Sequence, residues 1–208
     1  LFEWHRQNPV SDSAITTSGA GANNHSMNSV ALCDLSELVK LGVKGPGAEK
    51  TLTDLGFDAP SVVYDAQPIV GGGLIVRLGG DEFMIESGSS ELPSLLAKFD
   101  EYVAEDDRRV YRVEHQEATI LLVGERAIDV MSQTCGINFL EARKRRLIFT
   151  RVAGVSCGVL PESFDDKVTY RIWVDYTYAT YLWETLVEIC GELGGEVIGA
   201  QRVLRESP

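Results

Sequence analysis

Val43-Lys44-Gly45-Pro46-Gly47-Ala48, followed by Leu52, and Val123-Gly124-Glu125-Arg126-Ala127, followed by Met131, share one local pattern. In each, an apolar strand turns at glycine into a helix whose first buried residue is alanine, small enough for close packing on a sheet. Outward from the first stretch, Leu38 to Val43 suits a strand, and Pro46 can open a helix because its missing N–H is not needed there. Ala48, Leu52 and Leu55 share one helical face, and Gly56 supplies a stop. A strand is expected at Val62 to Tyr64. Leu74 to Leu78 and Glu82 to Glu86 flank Gly79-Gly80-Asp81, a hairpin signal. Leu92, Leu95, Leu96, Phe99 and Val103 step at helical spacing after a Ser90 cap, and Arg109 to Val113 reads as another strand.

Outward from the second stretch the pattern repeats. Thr119 to Val123 is a strand, Glu125 to Cys135 a helix, and Leu147 to Val152, Val155 to Leu160 and Val168 to Val174 are strands. A long helix from about Tyr176 to Leu193 carries Ala179, Leu182, Trp183, Leu186, Ile189 and Cys190 on one face, and Val197-Ile198 adds a last strand. The sequence therefore predicts an α+β fold of two packed βαββαβ halves of the split βαβ, ferredoxin-like type. The expected divisions are a flexible, polar arm over 1–28, a first half over 29–115 and a second over 116–208.

Composition narrows the function. The 208 residues are 44% apolar and 24% charged, as in an ordinary globular protein, and 19 basic against 31 acidic side chains leave a formal charge of −12. That balance argues against duplex nucleic acid or an anionic membrane as the main partner. The four cysteines are scattered without a Cys-x-x-Cys pair, so zinc-type spacing is absent, and no metal site is expected. Buried, reduced cysteines imply a cytoplasmic location.

Motifs for chemistry are few. Gly71-Gly72-Gly73 precedes a strand, whereas a phosphate loop must follow one and open a helix. Gly154-Val155-Ser156-Cys157-Gly158 has the spacing of a nucleophile elbow, but a strand rather than a helix follows it, and no histidine is placed to act as base. No catalytic residue is assigned. Arg143-Lys144-Arg145-Arg146 is a dense basic cluster, readable as an anion or acidic-partner contact or as a solvated guard of the next strand. In Thr169-Tyr170-Arg171-Ile172-Trp173-Val174, Tyr170, Ile172 and Val174 share one face, and Arg171 and Trp173 the other. Arg171 beside Trp173 can stack on a flat heterocycle, pair with its carboxylates, cap the core or meet a partner chain.

At these segments the chain resembles the folate-dependent aminomethyltransferase superfamily, and within it the gamma subunits of heterotetrameric sarcosine oxidases. The resemblance rests on Leu32-Cys33-Asp34-Leu35-Ser36, Gly42-Val43-Lys44-Gly45-Pro46-Gly47-Ala48, Phe83-Met84-Ile85-Glu86, and Thr150-Arg151-Val152 through Tyr170-Arg171-Ile172-Trp173-Val174 to Ala179-x-x-Leu182-Trp183. It implies the aminomethyltransferase folate-binding fold without the C-terminal barrel of the glycine-cleavage T-protein. Folate-using members carry an Asn-Ala pair and a catalytic aspartate after the strand matching Phe83–Glu86; here Ser87-Gly88-Ser89-Ser90-Glu91 follows. Glu91 would hold a cationic amine or relay a proton, and it equally fits the acidic first turn of a helix. Arg151 and Tyr170 match family positions, but Arg171 stands where a glutamate binds the pterin ring. A glutamate accepts from the pterin edge; an arginine only donates.

The resemblance thus implies an accessory, non-catalytic subunit of a sarcosine oxidase-like oxidoreductase complex, docked on a larger flavoprotein or folate-domain subunit. Tetrahydrofolate is the one cofactor it suggests, and none is assigned. The alternative is a stand-alone tetrahydrofolate-binding aminomethyltransferase-like enzyme with Glu91, Arg151, Tyr170 and Arg171 lining its ligand pocket. A third reading is an interaction module using the aromatic-rich second half.

Overall fold

The computed structural model describes residues 29–69, 73–87, 96–101, 109–164 and 166–204. The expected arm over 1–28, Glu91 and most of the helix expected around Phe99 lie outside them; residues 96–101 are helical. Two compact units are formed. One takes the chain up to Glu37, Glu117–Ala142 and Phe149–Ala200; the other takes Leu38–Gln116, Arg143–Ile148 and the residues from Gln201.

In the second of these units, β2 (Val39–Lys44), α1 (Ala48–Asp54), β3 (Ala66–Ile69), β4 (Gly73–Gly79), β5 (Glu82–Ser87), the helical residues 96–101 and β6 (Tyr111–Val113) follow one another. The sheet order is β3-β4-β5-β2-β6, with every neighbouring pair antiparallel. Leu41, Val43, Ile75, Phe83 and Ile85 pack with Ala48 and Leu52 of α1, with Phe99 and with Val110. Lys40, Gly42 and Lys44 therefore sit on the opposite face.

The other unit contains β1 (Ala31–Asp34), β7 (Ala118–Val123), α2 (Ala127–Thr134), β8 (Ile148–Val152), β9 (Val155–Phe164), β10 (Lys167–Val174), a 3₁₀ turn (Tyr176–Tyr178), α3 (Ala179–Glu192) and β11 (Glu196–Ile198). Its order is β11-β1-β7-β10-β9-β8. α2 packs on β10, and α3 on β1 and β11. Asp175 starts the 3₁₀ turn by accepting from the Thr177 N–H at 2.8 Å. Those bonds from Thr177 hold its carboxyl below the usual range. A short α4 (Gln201–Leu204) follows β11.

The two glycine turns anchor this arrangement. Gly45 (φ 126°) and Gly124 (φ 124°) both adopt backbone that L side chains rarely enter. Each N–H donates to a hairpin alongside, Gly45 to Asp81 O in the β4–β5 turn at 2.8 Å and Gly124 to Val168 O in β10 at 3.0 Å. Another segment crosses each glycine closely. A Cβ at Gly45 would lie 2.0 Å from Arg109 O, and one at Gly124 would lie 2.4 Å from Ser29 O. Ala48 and Ala127 are fully buried one turn later.

Two features differ from the sequence expectation. The strand expected at Val62–Tyr64 is a turn, and the strand forms at Ala66–Ile69. Arg77 holds the turn by donating to Pro60 O and Ser61 O, and Tyr64 takes a φ of 72° that no strand tolerates. Residues 31–34, expected with the first half, pair antiparallel with β7 and parallel with β11. Ala31, Leu32 and Cys33 have no exposed face, so this short strand belongs in a sheet interior with a partner on each side.

The glycine contacts set a stability test. In urea unfolding, Gly45→Ala and Gly124→Ala should each cost ~3 kcal/mol or more, because positive φ and a backbone clash add. Gly56→Ala, at φ 90° with open space around it, should cost only ~1 kcal/mol. Equal losses at the three positions would contradict the close-approach account.

Candidate functional site

Tyr170 and Arg171 are consecutive on β10 and therefore project from opposite faces of the sheet. Tyr170 is 2% exposed, and its ring meets Phe139 edge-on with centroids 5.1 Å apart. Burial pushes its phenol above the ordinary value. Tyr170 is a core residue here.

Arg171 donates from Nε to Oε2 of Glu162 at 3.0 Å. Glu162 lies opposite Thr169 in the β9–β10 register, which makes it a same-face diagonal neighbour of Arg171. The two side chains are only 13% and 20% exposed, so the pair is largely withdrawn from water. Trp173, Leu121, Thr169 and Cys33 share this face by register, all of them buried. Burial pushes the Cys33 thiol up to about 12, with Asp34 raising it further and Arg171 opposing both.

Of the other residues expected to bind ligand, Arg151 is exposed on β8, with β9 between it and β10. Glu91 lies outside the described residues. Tyr170 and Arg171 thus do not share a sheet face: Tyr170 turns into the core, and Arg171 is engaged by a carboxylate of its own chain.

The other unit holds a charge pair that the sequence reading missed. Lys40 and Glu86 are directly opposite in the β2–β5 register, with Nζ 3.3 Å from Oε2 and side chains 1% and 0% exposed. Met84 and Leu74, on the same face, are also buried. Burying two charges costs several kcal/mol per ion, recovered only through the pairing itself and added hydrogen bonds. The available signal was the charge pattern of the two strands, Lys40 and Lys44 in one and Glu82 and Glu86 in the other, with apolar residues or glycine between them. Buried Ser87 follows Glu86, at the end of the strand where the resemblance places the asparagine of folate-using members.

All four cysteines are buried and free. Desolvation raises Cys157 to about 11 and Cys190 to about 12, so these thiols stay protonated at neutral pH. Among the described residues, no group of three or more His, Cys, Asp or Glu side chains is placed to hold a metal ion. None of the helices described is long and apolar enough to cross a membrane.

Comparison with known proteins adds the following. The family model of the GCVT N-terminal domain matches residues 4–206. Among solved structures, the fold is similar to a chain of heterotetrameric sarcosine oxidase from Corynebacterium sp. U-96, in complex with pyrrole 2-carboxylate. The TM-score is 0.73 at 20% identity, over 91% of this chain and 97% of that one. It is also similar to glycine cleavage system aminomethyltransferase T from Bartonella henselae, with TM-score 0.66 at 15% identity, over 84% of this chain and 48% of that one. At these identities the likeness is one of fold. A search of curated proteins gave no match.

The Lys40–Glu86 pair yields a direct test. Lys40→Met removes the cation 3.3 Å from the buried Glu86 carboxylate and should cost ~3–5 kcal/mol in chemical denaturation. Lys40→Met combined with Glu86→Leu should recover most of that loss. Losses that simply add would show that the two charges are not coupled.

Proposed function

The chain belongs to the GCVT N-terminal domain family, and from that premise we propose that it is an accessory, non-catalytic subunit similar to the gamma subunit of heterotetrameric sarcosine oxidase. Its setting is folate-linked one-carbon metabolism of N-methyl amino acids, in the cytoplasm, docked on a larger flavoprotein or folate-domain subunit. The scaffold is read as two split βαβ halves of the aminomethyltransferase folate-binding fold. The succession β2-α1-β3-β4-β5-helix-β6 and its counterpart β7-α2-β8-β9-β10-α3-β11 support that reading. So do the matching orders β2-β5-β4-β3 and β7-β10-β9-β8. The match covers nearly the whole of the similar sarcosine oxidase chain and about half of the aminomethyltransferase.

One observation carries the non-catalytic reading. Where the resemblance expects a carboxylate for the pterin ring, Arg171 stands with its Nε bonded to Glu162. A pterin edge offers N–H donors and needs acceptors; Arg171 has none, and the Glu162 oxygen nearest to it is already engaged. Tyr170 is packed on Phe139 and unavailable as a ring platform. The residues present therefore do not fit tetrahydrofolate at this position, and no reaction step is drawn through it. The alternative, a stand-alone tetrahydrofolate-binding aminomethyltransferase-like enzyme, requires Glu162 to leave Arg171 and accept from the ring. That exchange breaks an ion pair largely withdrawn from water.

Calorimetry distinguishes the two. The full-length chain titrated with tetrahydrofolate should give no saturable heat, and Glu162→Gln should leave that result unchanged. Co-expressed with a large flavoprotein subunit from the same genome, it should elute as a complex of fixed stoichiometry. Affinity of ~1 μM or tighter for the isolated chain, lost in Glu162→Gln, would establish the enzyme instead.

A further inference from the structure

Arg143-Lys144-Arg145-Arg146 is the densest positive run in a chain of formal charge −12, and the function proposed above leaves it unused. The structure shows how it is held. Asp65, its side chain 16% exposed, takes one cation on each oxygen: Arg143 Nη2 at 2.9 Å from Oδ2, and Arg146 Nη1 at 3.0 Å from Oδ1. Arg146 also donates to Val63 O at 3.3 Å. The backbone is tied as well, with Leu147 N–H donating to Tyr64 O at 2.7 Å and Ala66 N–H to Arg145 O at 2.8 Å, around an antiparallel bridge between Asp65 and Arg146. Tyr64 and Arg145 both sit in the left-handed region, at φ 72° and 58°, which residues with a side chain enter only when neighbouring bonds hold them there.

This anchoring divides the four cations by role. Arg143 and Arg146 satisfy Asp65 and fix the segment. Lys144 and Arg145 between them are exposed, and among the described residues neither forms an ion pair. The result is a fixed backbone presenting two unengaged cations, flanked by two guanidiniums whose single shared counter-charge is Asp65.

We propose that residues 143–146 form a docking ridge for an acidic segment of a partner protein. Charge complementarity selects the occupant. A long polyanion such as duplex nucleic acid, or an anionic bilayer, extends beyond the ridge over a chain that is acidic overall and is repelled there. A short acidic segment meets only the ridge. Tethering the backbone beforehand lowers the ordering cost of binding, which a mobile basic tail would bear in full. The inference does not depend on the folate reading: any partner that presents clustered carboxylates fits.

The test is fluorescence anisotropy of the full-length chain with a labelled octaglutamate peptide at about 50 mM salt, where charges several ångströms apart still interact. Saturable binding is expected, weakened about tenfold or more in Lys144→Glu/Arg145→Glu and less in Lys144→Gln/Arg145→Gln. Lys50→Glu/Lys98→Glu, an equal change in net charge at exposed sites elsewhere, should bind as the wild type does. Matching thermal midpoints confirm that the variants fold. Absence of saturable binding, equal loss in the two charge-reversed pairs, or tighter binding to a DNA duplex or a phosphatidylserine vesicle than to the peptide would overturn the proposal.

Discussion

The close passage of one backbone over a glycine, made twice, is the constraint on which both sheets depend. At Gly45 the crossing chain is Arg109-Val110, which enters β6; at Gly124 it is Ser29-Val30, which enters β1. In each case the crossing segment becomes the strand beside the one that led into the glycine turn, β6 beside β2 and β1 beside β7. A side chain at either glycine would meet a carbonyl oxygen well inside contact distance, and neither the turn nor the crossing chain can yield without unpairing a strand. The small Ala48 and Ala127 then let each helix settle on its sheet.

Each sheet also carries a charge pair on one of its faces, Lys40–Glu86 in one unit and Arg171–Glu162 in the other. Ion pairs withdrawn from water contribute little net stability over well-packed apolar residues, so they are poor choices for stability alone. Their effect is on what each face can bind. A carboxylate already committed to an internal cation is a weak acceptor for an incoming ring, and a guanidinium committed to an internal carboxylate is a weak clamp for an anion. That is the physical basis of the accessory role proposed above.

Local signals made much of the fold legible. The Gly45 and Gly124 turns, the hairpin over Gly79-Gly80-Asp81 and the apolar face of α3 depend on residues a few positions apart, and each forms where expected. Alternation along β10 likewise placed Tyr170 and Arg171 on opposite faces. Long-range pairing was not legible: Ala-Leu-Cys at 31–33 is as apolar as any neighbouring strand, and nothing local says that its partners are β7 and β11. The displacement of a strand from 62–64 to 66–69 depends on Arg77, a distant side chain that ties down the turn. At the candidate site, alternation along the strand and the resemblance both singled out Arg171, but its engagement with Glu162 follows from β9–β10 register and could not be read from either residue. The Lys40–Glu86 pair escaped for a similar reason, since each charge alone looks like an ordinary strand residue facing solvent.

The central claim is that Arg171 and Glu162 close on each other where the family's folate users offer an acceptor to the ring. Diffraction from crystals soaked in reduced tetrahydrofolate addresses it most directly. The account predicts an Arg171–Glu162 separation unchanged from 3.0 Å and no pteridine density beside β10. Ordered pteridine density there, with Glu162 rotated away from the guanidinium to accept from the ring, would contradict it.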